Sequence, residues 1–165
     1  MKSIVLAGGC FWGVEAYFDQ LKGVTKTSVG YVDGNKKHPT YHEVCHGVAT
    51  HAEACEVTYD EQVVTLEQVL EHFFRIINPF SINRQGNDIG NQYRSGIYLN
   101  DMSDQKAVVD YMESYFKDDY SKVQVKVKEN LDYELAEDNH QKYLKKNPFG
   151  YCHVNLELAK ADEKK

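Results

Sequence analysis

The apolar run Ser3–Ala7 stops at Gly8-Gly9, and from Val14 the apolar positions recur at helical spacing through Tyr17, Phe18 and Leu21. That switch of period, from buried strand to amphipathic helix, commits the chain to a strand–turn–helix opening and so to a layered arrangement of helices on a sheet. Lys22-Gly23 ends the helix, the glycine suiting a left-handed C-cap. Thr25–Val32 is predicted as a strand closed by the turn Asp33-Gly34-Asn35. Lys36–Thr50 is polar and rich in histidine and reads as a surface loop. Ala52–Tyr59 alternates as a strand, with Glu53 on the face of Cys55, Val57 and Tyr59. Thr65 with Gln68 forms a capping box for a helix carrying Leu66, Val69, Leu70, Phe73, Phe74 and Ile77, ended by Asn78-Pro79. Phe80–Tyr93 lacks a period and is expected as a long loop, a feature often tied to function. There follow a strand at Ser95–Leu99, a helix capped by Ser103, a strand through Val123, Val125 and Val127, and a helix over Leu135–Lys146. The expectation is an α+β fold with helices packed on a mixed sheet, residues 1–158 forming one domain and 159–165 a charged, flexible tail.

At 165 residues the chain fits one domain and buries enough surface to need no staple. A formal net charge of −6 argues against nucleic acid or an anionic membrane as partner. No apolar run approaches the roughly 20 residues of a membrane helix. The first ten residues hold an apolar stretch too short for a leader and read as a strand. The four cysteines, Cys10, Cys45, Cys55 and Cys152, then belong to a reducing cytoplasm, where reactivity matters more than cross-linking.

Gly8-Gly9-Cys10 delivers Cys10 to the start of a helix, where unpaired amides and the helix dipole stabilise a thiolate. A free thiol is only about 3% ionised at pH 7, so a lowered pKa there would make a nucleophile. The plainer reading is a buried structural cysteine followed by the core residues Phe11 and Trp12. Glu53, on an apolar strand face, is desolvated; that raises its pKa and makes it a proton donor near neutrality. A salt-bridged strand glutamate fits the same pattern. Arg84–Ser95, with Gly86 and Gly90, suits either a solvated loop or the rim of a site. The loose cluster His38, His42, Cys45, His46, His51 and Cys55 invites zinc, but it contains no Cys-x2-Cys pair.

Six segments together resemble the A-type peptide methionine sulfoxide reductases: Gly8-Gly9-Cys10-Phe11-Trp12-Gly13-Val14-Glu15, Thr40-Tyr41-His42-Glu43-Val44-Cys45, His51-Ala52-Glu53-Ala54, Arg84–Gly90 with Gln92–Ser95, Ala136–Asp138 with His140–Leu144, and Asn147–Cys152. The resemblance runs nearly end to end. It implies a two-layer α/β plait of ferredoxin-like type and reduction of methionine-S-sulfoxide, peptide-bound or free, without a cofactor. It implies that Cys10 attacks the sulfoxide sulfur and becomes a sulfenic acid, with Glu53 as proton donor. Tyr41, Tyr93 and Asp88 match the polar wall around the oxygen, and Phe11 and Trp12 the apolar wall for the methyl group. Cys152 matches a resolving cysteine of some members; the resulting intramolecular disulfide would be reduced by thioredoxin, with the protein acting as a monomer in the cytoplasm. Three departures stand out: Asp33 where the family often has glycine, Cys55 at a usually apolar position, and no glycine-rich, cysteine-bearing tail. Two other readings compete, a thiol hydrolase using Cys10 with a histidine base, and a zinc-dependent binding module built on His38–Cys55.

Overall fold

A computed structural model describes residues 1–165. Its first half is β1 (Lys2–Gly8), α1 (Phe11–Asp19), β2 (Val24–Val32), α2 (Tyr41–Cys45), β3 (Ala52–Tyr59) and α3 (Leu66–Ile76). The second half is β4 (Arg84–Gln85), β5 (Asp88–Ile89), β6 (Ser95–Leu99), α4 (Gln105–Phe116), β7 (Lys126–Glu129), β8 (Glu134–Leu135) and α5 (Tyr143–Lys146), linked by short 3₁₀ turns. Six strands form one sheet in the order β7-β6-β1-β3-β2-β8, and β4 pairs with β5 alone. Only β6 and β7 run parallel, so the sheet is mixed. The helix α1 joins β1 to β2 across β3, and α3 joins β3 to β6 across β1. No helix is long and apolar enough to cross a membrane.

The alternation of the strands sorts the core. Ile4 and Leu6 of β1 and Cys55, Val57 and Tyr59 of β3 meet Val14, Tyr17 and Phe18 of α1, Val69, Leu70 and Phe73 of α3, and Val108 and Met112 of α4. Each fully buried apolar side chain of this size contributes about 1.5–3 kcal/mol, so packing rather than helix propensity holds the helices down. The opposite face carries smaller residues, Val5, Ala7, Ala52 and Ala54, covered with Tyr98 and Tyr133. Asp33 has φ +62°, the left-handed region where glycine costs least. Its carboxylate compensates by accepting from Tyr98 Oη and Lys128 Nζ, each at 3.0 Å.

Several elements differ from their sequence expectation. Within Lys36–Thr50 lies α2, started by a reciprocal cap in which Thr40 Oγ1 accepts from Glu43 N and Glu43 Oε1 accepts from Thr40 N. Five residues are too few to show a period. Phe80–Tyr93 contains the hairpin β4–β5, turned at Gly86, and a 3₁₀ turn at Asn91–Tyr93. Leu135–Lys146 is not one helix, because tertiary hydrogen bonds take its backbone away. Gln141 pairs through its side-chain amide with both backbone groups of Val29, and Lys142 N donates to Glu15 Oε1 with Lys142 held at φ +54°. The last valine-rich strand starts later, at Lys126. Asp101, rather than Ser103, caps the turn before α4.

The tail also departs from expectation, being docked instead of free. Lys22 N donates to Glu163 O, Lys165 N donates to Gln20 O, and both Glu163 carboxylate oxygens accept from Arg75 of α3 at 2.8 and 3.0 Å. Arg75 above all holds the Glu163 carboxyl at about 2, against an ordinary 4.5. A depressed carboxyl stabilises the fold above its unfolded pKa, and that stability is lost as pH falls from about 4.5 toward 2. Glu163→Gln should therefore cost roughly 1 kcal/mol at pH 7 and speed amide exchange at Lys22 and Lys165. Unchanged exchange at both amides would show that the ion pair does not hold the tail.

Candidate active site

Cys10 is the N-cap residue of α1, 6% exposed. Gly9 before it has φ +90°, and a Cβ there would come within 2.8 Å of both the Gln85 side chain and His153 Nε2. The glycine is required twice, by conformation and by space. Gln85 is itself clamped, exchanging hydrogen bonds with both backbone groups of Asn78 and donating to Ser95 Oγ. The amides of Trp12 and Gly13 reach the Cys10 sulfur and favour its thiolate. Burial outweighs them and pushes the thiol up, with the carboxylates of Glu53 and Asp88 adding to the effect. This corrects the expectation of a lowered thiol pKa: the resting side chain is a protonated thiol.

Glu53, 1% exposed, stands on β3 opposite Tyr31 of β2. Its Oε1 accepts from Phe11 N at 3.2 Å, tying it to the start of α1, while Oε2 is buried without a partner. Desolvation pushes this carboxyl up to about 8, against the Phe11 amide, which pulls it down; the charge of Asp88 adds to the rise. At neutral pH it holds a proton.

Tyr41 and Tyr93 are both pushed up by burial and then by the charge of Glu53, and Cys10 and Asp88 act on Tyr93 as well. The structure thus gathers Cys10, Glu53, Tyr41, Tyr93 and Asp88, drawn from α1, β3, α2, the Asn91–Tyr93 turn and β5, into one electrostatic neighbourhood. Asp88 accepts from Tyr151 Oη at 3.1 Å, which ties the wall to the Cys152 segment.

Phe11 is fully buried, its ring 5.7 Å from Tyr31, 6.2 Å from Tyr41 and 5.4 Å from His140. Trp12 is half-buried, stacked on Tyr143 at 3.8 Å and 10°, with its indole N–H donating to His140 Nδ1 at 3.0 Å. Glu137 holds two walls together, accepting from Tyr31 Oη and from Tyr41 N. Sequence reasoning assigned no role to His140, Tyr143, Glu137 or Tyr31; the first three lie in the quoted segments, and Tyr31 had only its place in the predicted strand Thr25–Val32. A groove of about 440 Å³ between α1 and α5 borders Trp12 and Tyr143 but includes neither Cys10 nor Glu53.

All four cysteines are free thiols. Cys152 is half-buried and donates to Val154 O at 3.2 Å; its sulfur would touch a Cβ on Gly13, one turn along α1 from Cys10, at 3.3 Å. Cys45 is half-buried beside Tyr41, and burial pushes its thiol up. Cys55 lies in the main core. The His38–Cys55 cluster is dispersed: His38 is exposed and His51 is buried against Gly34, and no group of three or more His, Cys, Asp or Glu side chains is placed to hold a metal ion.

Residues 2–165 match the family model described as peptide methionine sulfoxide reductase. The chain is 49% identical over 160 residues to the peptide methionine sulfoxide reductase MsrA of Ureaplasma urealyticum, covering 97% of each chain. It is 52% identical over 159 residues to the protein of that name from Clostridium botulinum, covering 95% of this chain and all of the other. Among solved structures, reduced Mxr1 from Saccharomyces cerevisiae superposes with a TM-score of 0.85 at 35% identity, over 93% of this chain and 91% of that one. With Cys10, Glu53 and the aromatic walls in one place and the match spanning the whole chain, the protein belongs to the peptide methionine sulfoxide reductases of the MsrA type.

Proposed function

We propose that Cys10 attacks the sulfur of methionine-S-sulfoxide, peptide-bound or free, while Glu53 protonates the oxygen. One observation carries this reading: Glu53 keeps a proton at neutral pH, with one oxygen anchored on Phe11 N and the other unpartnered beside the Cys10 helix start. Such a carboxyl gives its proton to an oxygen that gains charge as the sulfoxide is attacked. Attack forms a bond between the Cys10 sulfur and the substrate sulfur; the protonated oxygen then passes from the substrate sulfur to the Cys10 sulfur as that sulfur–sulfur bond breaks, leaving a Cys10 sulfenic acid and methionine. The Cys10 thiol proton restores Glu53, so the acid is not consumed. Tyr41 and Tyr93 orient the oxygen and Asp88 completes that side. Trp12 offers a ring face to the methyl group, with His140 and Tyr143 fixing its plane and Phe11 supporting it from behind.

Cys152 then resolves the sulfenic acid, and thioredoxin reduces the disulfide. The packing of Cys152 on Gly13 supports the first step. For the second, the yeast protein Mxr1 is also solved in complex with Trx2. The crossings of α1 and α3, with central strands in the order β6-β1-β3-β2, support a ferredoxin-like plait over residues 1–158. The reading includes a cytoplasmic monomer that needs no cofactor.

One equivalent of methionine-S-sulfoxide, added without reductant, should yield about one methionine per chain and a Cys10–Cys152 peptide in mass mapping. The R epimer should yield neither. Equal turnover of both epimers would remove the stereochemical assignment. A disulfide from Cys10 to Cys45 or Cys55 would move the resolving role. Ester hydrolysis without any sulfoxide chemistry would favour the hydrolase.

A further inference from the structure

The recycling step has a proton to place. Cys152 is a thiol pushed up by burial, and its hydrogen is engaged by the Val154 carbonyl. Attack on a sulfenic acid needs the thiolate, so something must take that hydrogen. The next side chain along has an unused acceptor. His153 Nε2 lies 3.0 Å from the Gly8 carbonyl oxygen. A carbonyl only accepts, so Nε2 carries the hydrogen and Nδ1 is a bare lone pair. That Nδ1 is buried and has no partner. It also lies near the sulfur: Nδ1 and Cys152 Sγ are 3.2 and 3.3 Å from the same point above Gly13, and therefore less than twice that distance apart. Rotation of the cysteine side chain away from Val154 can close such a gap. The absence of a side chain at Gly13 is what leaves both atoms room to face α1, one turn from Cys10.

We infer that His153 is the general base of disulfide formation, taking the Cys152 thiol proton on Nδ1 as Cys152 attacks the Cys10 sulfenic acid. The inference rests on Cys152 being the resolving cysteine. In the step, the Cys152–sulfur to hydrogen bond breaks, a sulfur–sulfur bond to Cys10 forms, and the Cys10 sulfur–oxygen bond breaks. The imidazolium returns the proton to the departing hydroxide, so a thiol and a sulfenic acid become a disulfide and one water with no outside oxidant. The Cys10 sulfur is reduced and the Cys152 sulfur oxidised. Burial keeps His153 uncharged near neutrality, as a base must be; the Gly8 carbonyl and the charge of Asp88 oppose this, and the Cys152 thiol is the titratable group beside it above Gly13. The carbonyl at Gly8 holds the ring from the opposite edge, so the fold spends one nitrogen on position and leaves the other for chemistry.

His153→Gln separates the two jobs, because its amide N–H can still donate to Gly8 O while no basic lone pair remains. After one equivalent of sulfoxide, quenched samples give the rates of the methionine burst and of Cys10–Cys152 disulfide formation. The ratio of the second rate to the first should fall about a hundredfold in the variant at pH 7. The unsubstituted protein should form the disulfide at a rate that levels off once His153 is neutral, whereas the variant's rate should climb steadily with pH toward the thiol pKa. Free imidazole should partly rescue His153→Ala. A wild-type ratio in His153→Gln would overturn the proposal, as would a variant that is slow but keeps the wild-type profile, which marks a purely structural role. If neither variant folds, the profile of the unsubstituted protein decides, since a continuous rise from pH 6 to 9 also overturns it. Failure of the underlying reading looks different: Cys152→Ser would still form a Cys10 disulfide with another cysteine, and the proposal would fall with it.

Discussion

Cys10→Ser should lose sulfoxide reduction by at least about a thousandfold, measured as methionine formed with dithiothreitol as reductant. Ionisation is the smaller part of the reason. The product of the first step places the substrate oxygen on the attacking atom, and on sulfur that is a sulfenic acid, an accessible species. On a serine oxygen it would be an oxygen–oxygen bond, for which the site offers no driving force. A hydrolase using Cys10 would be affected differently, because an ester on serine is an ordinary intermediate. The substitution is close to isosteric at the N-cap, where serine is itself a preferred residue, so thermal stability should change little. Activity above about a hundredth of wild type would assign the attack to Cys45, Cys55 or Cys152. The resting state matters too. Burial, with the charge of Asp88 adding to it, keeps Cys10 protonated against the pull of two helix amides. In the proposed mechanism, attack therefore begins when the substrate oxygen takes the Glu53 proton, because neutralising the oxygen and vacating the carboxyl occur together.

Long periodic segments made the framework legible. β1, α1, β3 and α3 carry enough apolar repeats to declare both their type and their inward face, and the alternation of β3 puts Glu53 on its apolar face. What stayed hidden is set by partners far along the chain. Gln141 answers Val29, Glu137 answers Tyr31 and Tyr41, and Glu163 answers Arg75. No local period encodes such pairs, so the 135–146 segment and the tail were misread. The short elements α2 and β4–β5 were missed because two to five residues cannot display alternation. The sign of the Cys10 shift failed for another reason. A helix start is visible in sequence, but the depth of burial that opposes it is not. The same cause acted in the expected direction at Glu53, where an apolar face and desolvation agree.

Glu53→Gln should slow the sulfoxide step by about 10²–10⁴ at pH 6–7, because the amide fills the same space and carries no proton to give. The wild-type rate should fall as pH rises through about 8, where Glu53 loses its proton, and the variant should lack that limb. Stability supplies an independent reading of the same group. The carboxyl is raised from 4.5 to about 8 in the fold, so wild type is most favoured below the unfolded value and loses stability as pH climbs from about 4.5 to 8. That loss is on the order of a few kcal/mol, the cost of burying a carboxylate whose Oε2 has no partner. The amide does not ionise, so the variant should hold its midpoint of unfolding across this range and should overtake wild type near its upper end. A slow variant whose stability still fell with pH as wild type does would place the raised carboxyl elsewhere. A fast variant with flat stability would keep the buried proton on Glu53 and remove it from the chemistry. Only the combination, slow below pH 8 and flat in stability, makes the desolvated proton on Glu53 the one that leaves with the sulfoxide oxygen.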